Sequence, residues 1–146
     1  MEMDWALYKS HSNHIGSNLC PDGQRICRSW CDVIPEMKVH SVGRTSGFQK
    51  GIINSSMSYV DFGDHQTRAW AVIKLPDSLG EAWVESGIGV EGDFGAWMID
   101  MESNNLYGML RGHHGEGPET MTYFTPMVEI VAHIKGKLGE VEIRLP

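Results

Sequence analysis

Basic residues are scarce in this chain. Twelve Lys and Arg stand against 19 Asp and Glu, for a net charge of −7 with seven histidines neutral. An acidic surface repels phosphate backbones and anionic lipid, so neither nucleic acid nor a membrane is an expected partner. Lys and Arg are scattered singly, with Lys135 and Lys137 the only close pair, so no basic patch overrides that expectation. Long apolar runs are missing too, and nothing approaches the roughly 20 residues of a spanning helix. The opening Met1-Glu2-Met3-Asp4-Trp5 lacks the basic and apolar regions of a signal peptide, and an intracellular protein is expected. Cysteine is limited to Cys20, Cys27 and Cys31. An odd count without a signal peptide favours reduced thiols, although an oxidising compartment would permit a Cys20–Cys27 or Cys20–Cys31 bridge.

What is present suits one soluble domain. The chain has 146 residues, 41% of them hydrophobic and 21% charged. A chain of this size buries roughly 70% of its unfolded surface, so it needs neither metal nor disulfide merely to fold. Seventeen glycines against six prolines imply many tight turns. Short strands are expected over residues 38–42, 48–54, 57–62, 67–73, 96–100, 106–111 and 122–125, each bounded by turn residues. Ser103-Asn104-Asn105 reads as the turn of a hairpin. Spacing of roughly ten residues suits a sandwich or barrel. One helix stands out: Met127, Ile130, Val131 and Ile134 line a single face, Pro126 suits its first position, and Gly136 is expected to end it. Residues 5–8 suit a short strand, and residues 10–36 read as irregular.

Several motifs follow one another in order. Asp4-Trp5-Ala6-Leu7 opens the chain, and the run from Val42 to Gly51 reads VGRTSGFQKG. Gly92-Asp93-Phe94-Gly95-Ala96-Trp97 comes next, then Leu106-Tyr107-Gly108-Met109-Leu110, then Tyr123-Phe124-Thr125-Pro126 leading into the helix. This order resembles the trypsin-like, chymotrypsin-fold serine proteases, most closely a divergent and mostly fungal branch. The resemblance covers nearly the whole chain from Asp4 to Ile134. It implies a mainly β fold: one antiparallel six-stranded barrel, the second barrel of the chymotrypsin fold, with a C-terminal helix and an irregular N-terminal segment. Residues 1–37 would be a first-barrel remnant plus linker, 38–136 the barrel and helix, and 137–146 a tail.

Acyl transfer in this family needs a serine oxygen, a histidine base, an orienting aspartate and two backbone N–H groups facing the oxyanion. The resemblance puts Phe94 where the nucleophile belongs, and a phenyl ring carries no nucleophile. It puts the histidine upstream of Asp4, where only three residues stand and none is His. Asp4 matches the aspartate but has nothing to orient. Ser86 and Cys31 have no His at a matched spacing. The backbone at Gly92 and Phe94 retains the form of an oxyanion-hole-like nest. The Phe94 side chain is expected to fill the cleft. Ile88 matches the floor of the specificity pocket and would leave it apolar, with Arg111 and His113 also lining it.

The resulting expectation is a truncated, catalytically inactive homologue that serves, if at all, as a protein- or peptide-binding module. A partner or a second copy would meet the surface that the first barrel normally covers. Half of a serine endopeptidase, completed by an upstream barrel, is the enzymatic alternative. A third reading is a small zinc-stabilised binding domain built on His11, His14, Cys20, Cys27 and Cys31, whose spacing matches no standard finger. The favoured reading needs no cofactor and no metal. His113 and His114 are expected as solvated loop residues, and adjacent histidines rarely share a metal. Glu81, Glu85, Glu91 and Asp93 read as a solvated acidic loop. Trp70, Trp83 and Trp97 are expected to pack in or against the barrel.

Overall fold

Alternation along the first strand shows how the sheet is built. From Lys38 to Gly43, Val39, Ser41 and Gly43 are buried on the inner face, while Lys38 and Val42 on the other face are exposed. The computed structural model describes residue 9 and residues 29–61, 63, 66–73, 75, 87–114 and 121–145. Among these the strands are β1 (Lys38–Gly43), β2 (Gly47–Ile53), β3 (Ser58–Asp61), β4 (Gln66–Ile73), β5 (Trp97–Asp100), β6 (Leu106–His114) and β7 (Met121–Pro126). A helix, α1 (Met127–Leu138), follows directly.

All strand pairings are antiparallel, in the order β2-β1-β5-β6-β7-β4, and β2 pairs back with β4. Six strands therefore close into a barrel, which removes the exposed sheet edges that invite aggregation. The strand β3 continues from β4 as an added hairpin. The closing seam is short: Ile52 faces Ile73 and Ile53 faces Val72. Asn54 extends it, because its N–H donates to Ala71 O at 3.0 Å and its Oδ1 accepts from Ala71 N–H at 3.0 Å.

Inside the barrel lie Val39, Ile53, Val72, Ile88, Met98, Tyr107, Leu110 and Phe124. A second cluster, on the outside, joins Ile99 and Leu106 to Trp30, Trp97, Met127 and Leu145. The segment just before β1 is bound to the barrel here, since Ser29 O accepts from Leu106 N–H at 3.1 Å and Cys31 N–H donates to Leu106 O at 3.3 Å. Leu145, expected in a tail, packs in the same cluster. Trp70 and Trp97 are half-buried, packed on the core and on the outer cluster respectively, as expected. Trp83 lies outside the described residues.

The strands fall close to where the alternation and turn residues put them. The hairpin turn between β5 and β6 holds Asn104 at φ 57°, a conformation that Asn tolerates better than most residues. Asp100 ties this turn together, accepting from Ser103 N–H at 3.0 Å and from the Ser103 hydroxyl. The helix buries Ile130 and Val131, two of the residues on its expected apolar face. Its end differs from expectation. Gly136 lies within the helix, which runs to Leu138. Gly139, at φ 80°, follows it and donates its N–H to Lys135 O at 2.8 Å. Gly136 is tolerated because a helix interior charges glycine only about 1 kcal/mol relative to alanine.

Candidate functional site

The mouth of the barrel is formed by the loop from Gly87 to Ala96 and the far half of β6. Three of the loop's glycines shape it: Gly89, Gly92 and Gly95 have φ of 86°, 95° and 91°. Any side chain at these three positions would be strained. Two internal hydrogen bonds fix the turn, Asp93 N–H to Val90 O and Ala96 N–H to Asp93 O, each at 3.0 Å. Two more dock it on β6, Gly95 N–H to Leu110 O and Leu110 N–H to Ala96 O, each at 2.9 Å.

These bonds consume the N–H groups of Asp93, Gly95 and Ala96. The N–H groups of Gly92 and Phe94 have no partner among the described residues. Both residues are exposed. Two neighbouring donors with no internal acceptor are suited to a carbonyl or carboxylate oxygen.

Asp93 differs from its expected place in a solvated acidic loop. It is 2% exposed. Its Oδ1 accepts from Thr45 N–H at 2.8 Å and Ser46 N–H at 3.2 Å, in the turn between β1 and β2. The absence of a side chain at Gly43 makes room, because a Cβ there would overlap the Asp93 carboxyl group. The Asp93 carboxylate thus clamps the nest-bearing loop to a hairpin 48 residues away in sequence. Glu91 is exposed, as expected, and Glu81 and Glu85 lie outside the described residues.

The histidine pair also differs from expectation. Strand β6 runs on through His114, so His113 and His114 belong to a strand and not to a loop. The expected strand ended at Arg111, but pairing with β7 carries β6 further, with His113 opposite Thr122 and His114 opposite Met121. A bulge between Leu110 and Gly112 shifts the register at Arg111. An extra residue in one strand reverses the alternation beyond it. His113 therefore returns to the side that carries Leu110, and its exposed ring lies 5.8 Å from that of Phe94 at 34°. Arg111 is half-buried at the bulge.

Phe94 stands at the mouth with 46% of its surface exposed. Ile88 is buried with the core side chains, and its carbonyl accepts from the Thr122 hydroxyl at 2.6 Å. Cys31 is half-buried against the core. Asp4, His11, His14, Cys20 and Cys27 lie outside the described residues. Among the described residues no group of three or more His, Cys, Asp or Glu is arranged to hold a metal ion. Among them, too, no helix is long and apolar enough to cross a membrane.

Two features of the site escape sequence reading, the clamp made by Asp93 and the bulge that turns His113. The first had a trace in the sequence, a buriable acid beside Phe94 and a glycine at position 43. The bulge had none.

Solved structures share this barrel. A glutamic-acid-specific serine protease described as using a histidine triad in substrate binding matches at TM-score 0.62 and 15% identity, over 87% of this chain and 62% of its own. Protease A of Thermobifida fusca matches at 0.56 and 16%, over 78% of this chain and 55% of its own. The MamO protease domain of Magnetospirillum magneticum matches at 0.50 and 17%, over 71% of this chain and 50% of its own. No protein-family model and no curated protein matches. The fold is therefore that of the chymotrypsin-type serine-protease barrel, and the chain spans between half and two thirds of the length of these structures.

Proposed function

We propose that this chain is a catalytically inactive relative of the chymotrypsin-fold serine proteases that binds a peptide or protein partner at the barrel mouth. One observation carries the reading: the Gly92 and Phe94 N–H groups have no acceptor among the described residues, while the intervening and following ones are used. Phe94 holds the position that the family resemblance gives to the nucleophile, so the nest can take up a carbonyl or carboxylate without attack on it. An exposed aromatic ring at Phe94, beside His113, supplies the apolar contact such a partner would cover.

The binding test is a titration of the 15N-labelled protein with acetate and with a blocked dipeptide. The Gly92 and Phe94 amide resonances shift together, while that of Gly95, already bonded to Leu110, stays in place. Absence of a shift at both would overturn the binding claim. Inactivity is tested separately with a serine-directed phosphonate, applied to the native chain and to Phe94→Ser. The native chain stays unlabelled, and its labelling would sink the reading.

The length comparison favours a second reading, half of a serine endopeptidase completed by an upstream barrel, because each matched protease is longer than this chain. An intact mass from the native source well above 16.3 kDa supports that alternative.

A further inference from the structure

Basic residues that stand apart in the sequence meet on the outside of the β1–β2 hairpin. The register puts Lys38 opposite Ile52, His40 opposite Lys50 and Val42 opposite Phe48 on that face. Val42 and Phe48 are 41% and 38% exposed, and Lys38, Lys50 and the turn residue Arg44 are exposed as well. His40 is buried, with its ring 5.2 Å from that of Phe48, and the Lys50 ammonium sits 5.8 Å from the same ring. Among the described residues Lys38, Arg44 and Lys50 form no ion pair. Residues 37–60 contain no Asp or Glu, in a chain that has 19. The acids buried next to the hairpin are occupied, Asp93 with Thr45 and Ser46 and Asp100 with Ser103.

We propose that this face docks an acidic segment of a protein partner, in which one apolar side chain has a carboxylate two positions to either side. Spacing is the first argument. Outward positions recur at every second residue, about 6.6 Å apart. Toward the turn they give Lys50 beside His40, then Val42 with Phe48, then Arg44. An extended segment of the form acid-x-apolar-x-acid has the same period. Charge is the second. These cations lie in the acid-free stretch, and complementary charge selects a partner and speeds encounter. The apolar pair decides between kinds of anion. A phosphate backbone offers Val42 and Phe48 nothing to bury against, and a net charge of −7 repels a long polyanion. A short acidic segment is screened from acids farther off than about 8 Å at physiological salt. A two-fold contact between copies through this face would set like charges against each other.

The test is a titration of the full 15N-labelled chain, at low ionic strength, with the blocked pentapeptide ESLSE. The Val42, Phe48 and Lys50 amide resonances shift, and the blocked peptides QSLSQ and ESASE bind there about tenfold more weakly. Lys50→Gln weakens the hairpin response to ESLSE by about tenfold and leaves any response of the Gly92 and Phe94 amides unchanged, so this face and the barrel mouth are read separately. Lys50 is exposed, so that substitution leaves the core intact. Equal hairpin shifts with ESLSE and QSLSQ, or none with either, would overturn the proposal. Tighter binding of a short single-stranded DNA oligonucleotide at the hairpin would overturn it in favour of nucleic acid. A dimer in sedimentation velocity that Phe48→Ser dissolves would overturn it in favour of a second copy.

Discussion

The Tyr107 phenol is strongly perturbed. Burial, followed by the nearby Asp100, Cys31 and Glu102, pushes its phenol up from 10.0 to about 12. The unfolded chain loses this proton near pH 10, while the folded chain holds it to about 12, so the folded state binds more protons in that window. Stability is unaffected by this group below pH 10 and falls as pH rises from 10 toward 12. Urea midpoints taken between pH 9 and 11 should show that fall, and Tyr107→Phe should flatten it. Gly43 is a second residue-scale constraint. A Cβ there meets the Asp93 carboxyl group, so Gly43→Ala should cost about 1–3 kcal/mol in urea unfolding, the usual range for overpacking.

Glycines separate the elements by what surrounds them. In β6, a Cβ at Gly108 would overlap the Thr125 carbonyl oxygen of β7. Backbone cannot step aside as a flexible side chain does, so Gly108→Ala should loosen the β6–β7 pairing and lower the thermal midpoint. Gly136 in α1 has nothing within 4 Å of an added Cβ. There Gly136→Ala should instead raise stability by about 0.5–1 kcal/mol, through helix propensity. Opposite signs in these two variants, measured by thermal unfolding, would separate packing from propensity. The bulge in β6 is an element-scale device of another kind, since it aims His113 at Phe94 without any change of fold.

For the whole molecule the narrow point is the seam between β2 and β4. Among the described residues, two residue pairs and the backbone and side chain of Asn54 close it. Asn54→Ala leaves the Ala71 N–H without its acceptor, at a cost of about 1–3 kcal/mol. Amide exchange at Ala71 should accelerate more than at residues of the β6–β7 pairing. The outer surface carries residues from either side of the barrel in sequence, Trp30 before it and Leu145 after the helix. Both pack on the cluster of Ile99 and Leu106, so segments before β1 and after α1 help cover the barrel.

Local patterns in the sequence determined much of this protein. Alternation and turn residues placed every described strand, and the spacing of Met127, Ile130, Val131 and Ile134 placed the helix, because both signals come from neighbours a few positions apart. The G-D-F-G turn likewise marked the position of the Gly92 and Phe94 donors. Tertiary structure alone decided the burial of Asp93, the reach of β6 to His114 and the pairing of His113 with Phe94. Each depends on groups far apart in the chain: Thr45 and Ser46 for the acid, β7 for the strand, and a bulge that reverses alternation for the ring. No local periodicity encodes such meetings, since closing the barrel is what brings those partners within bonding distance.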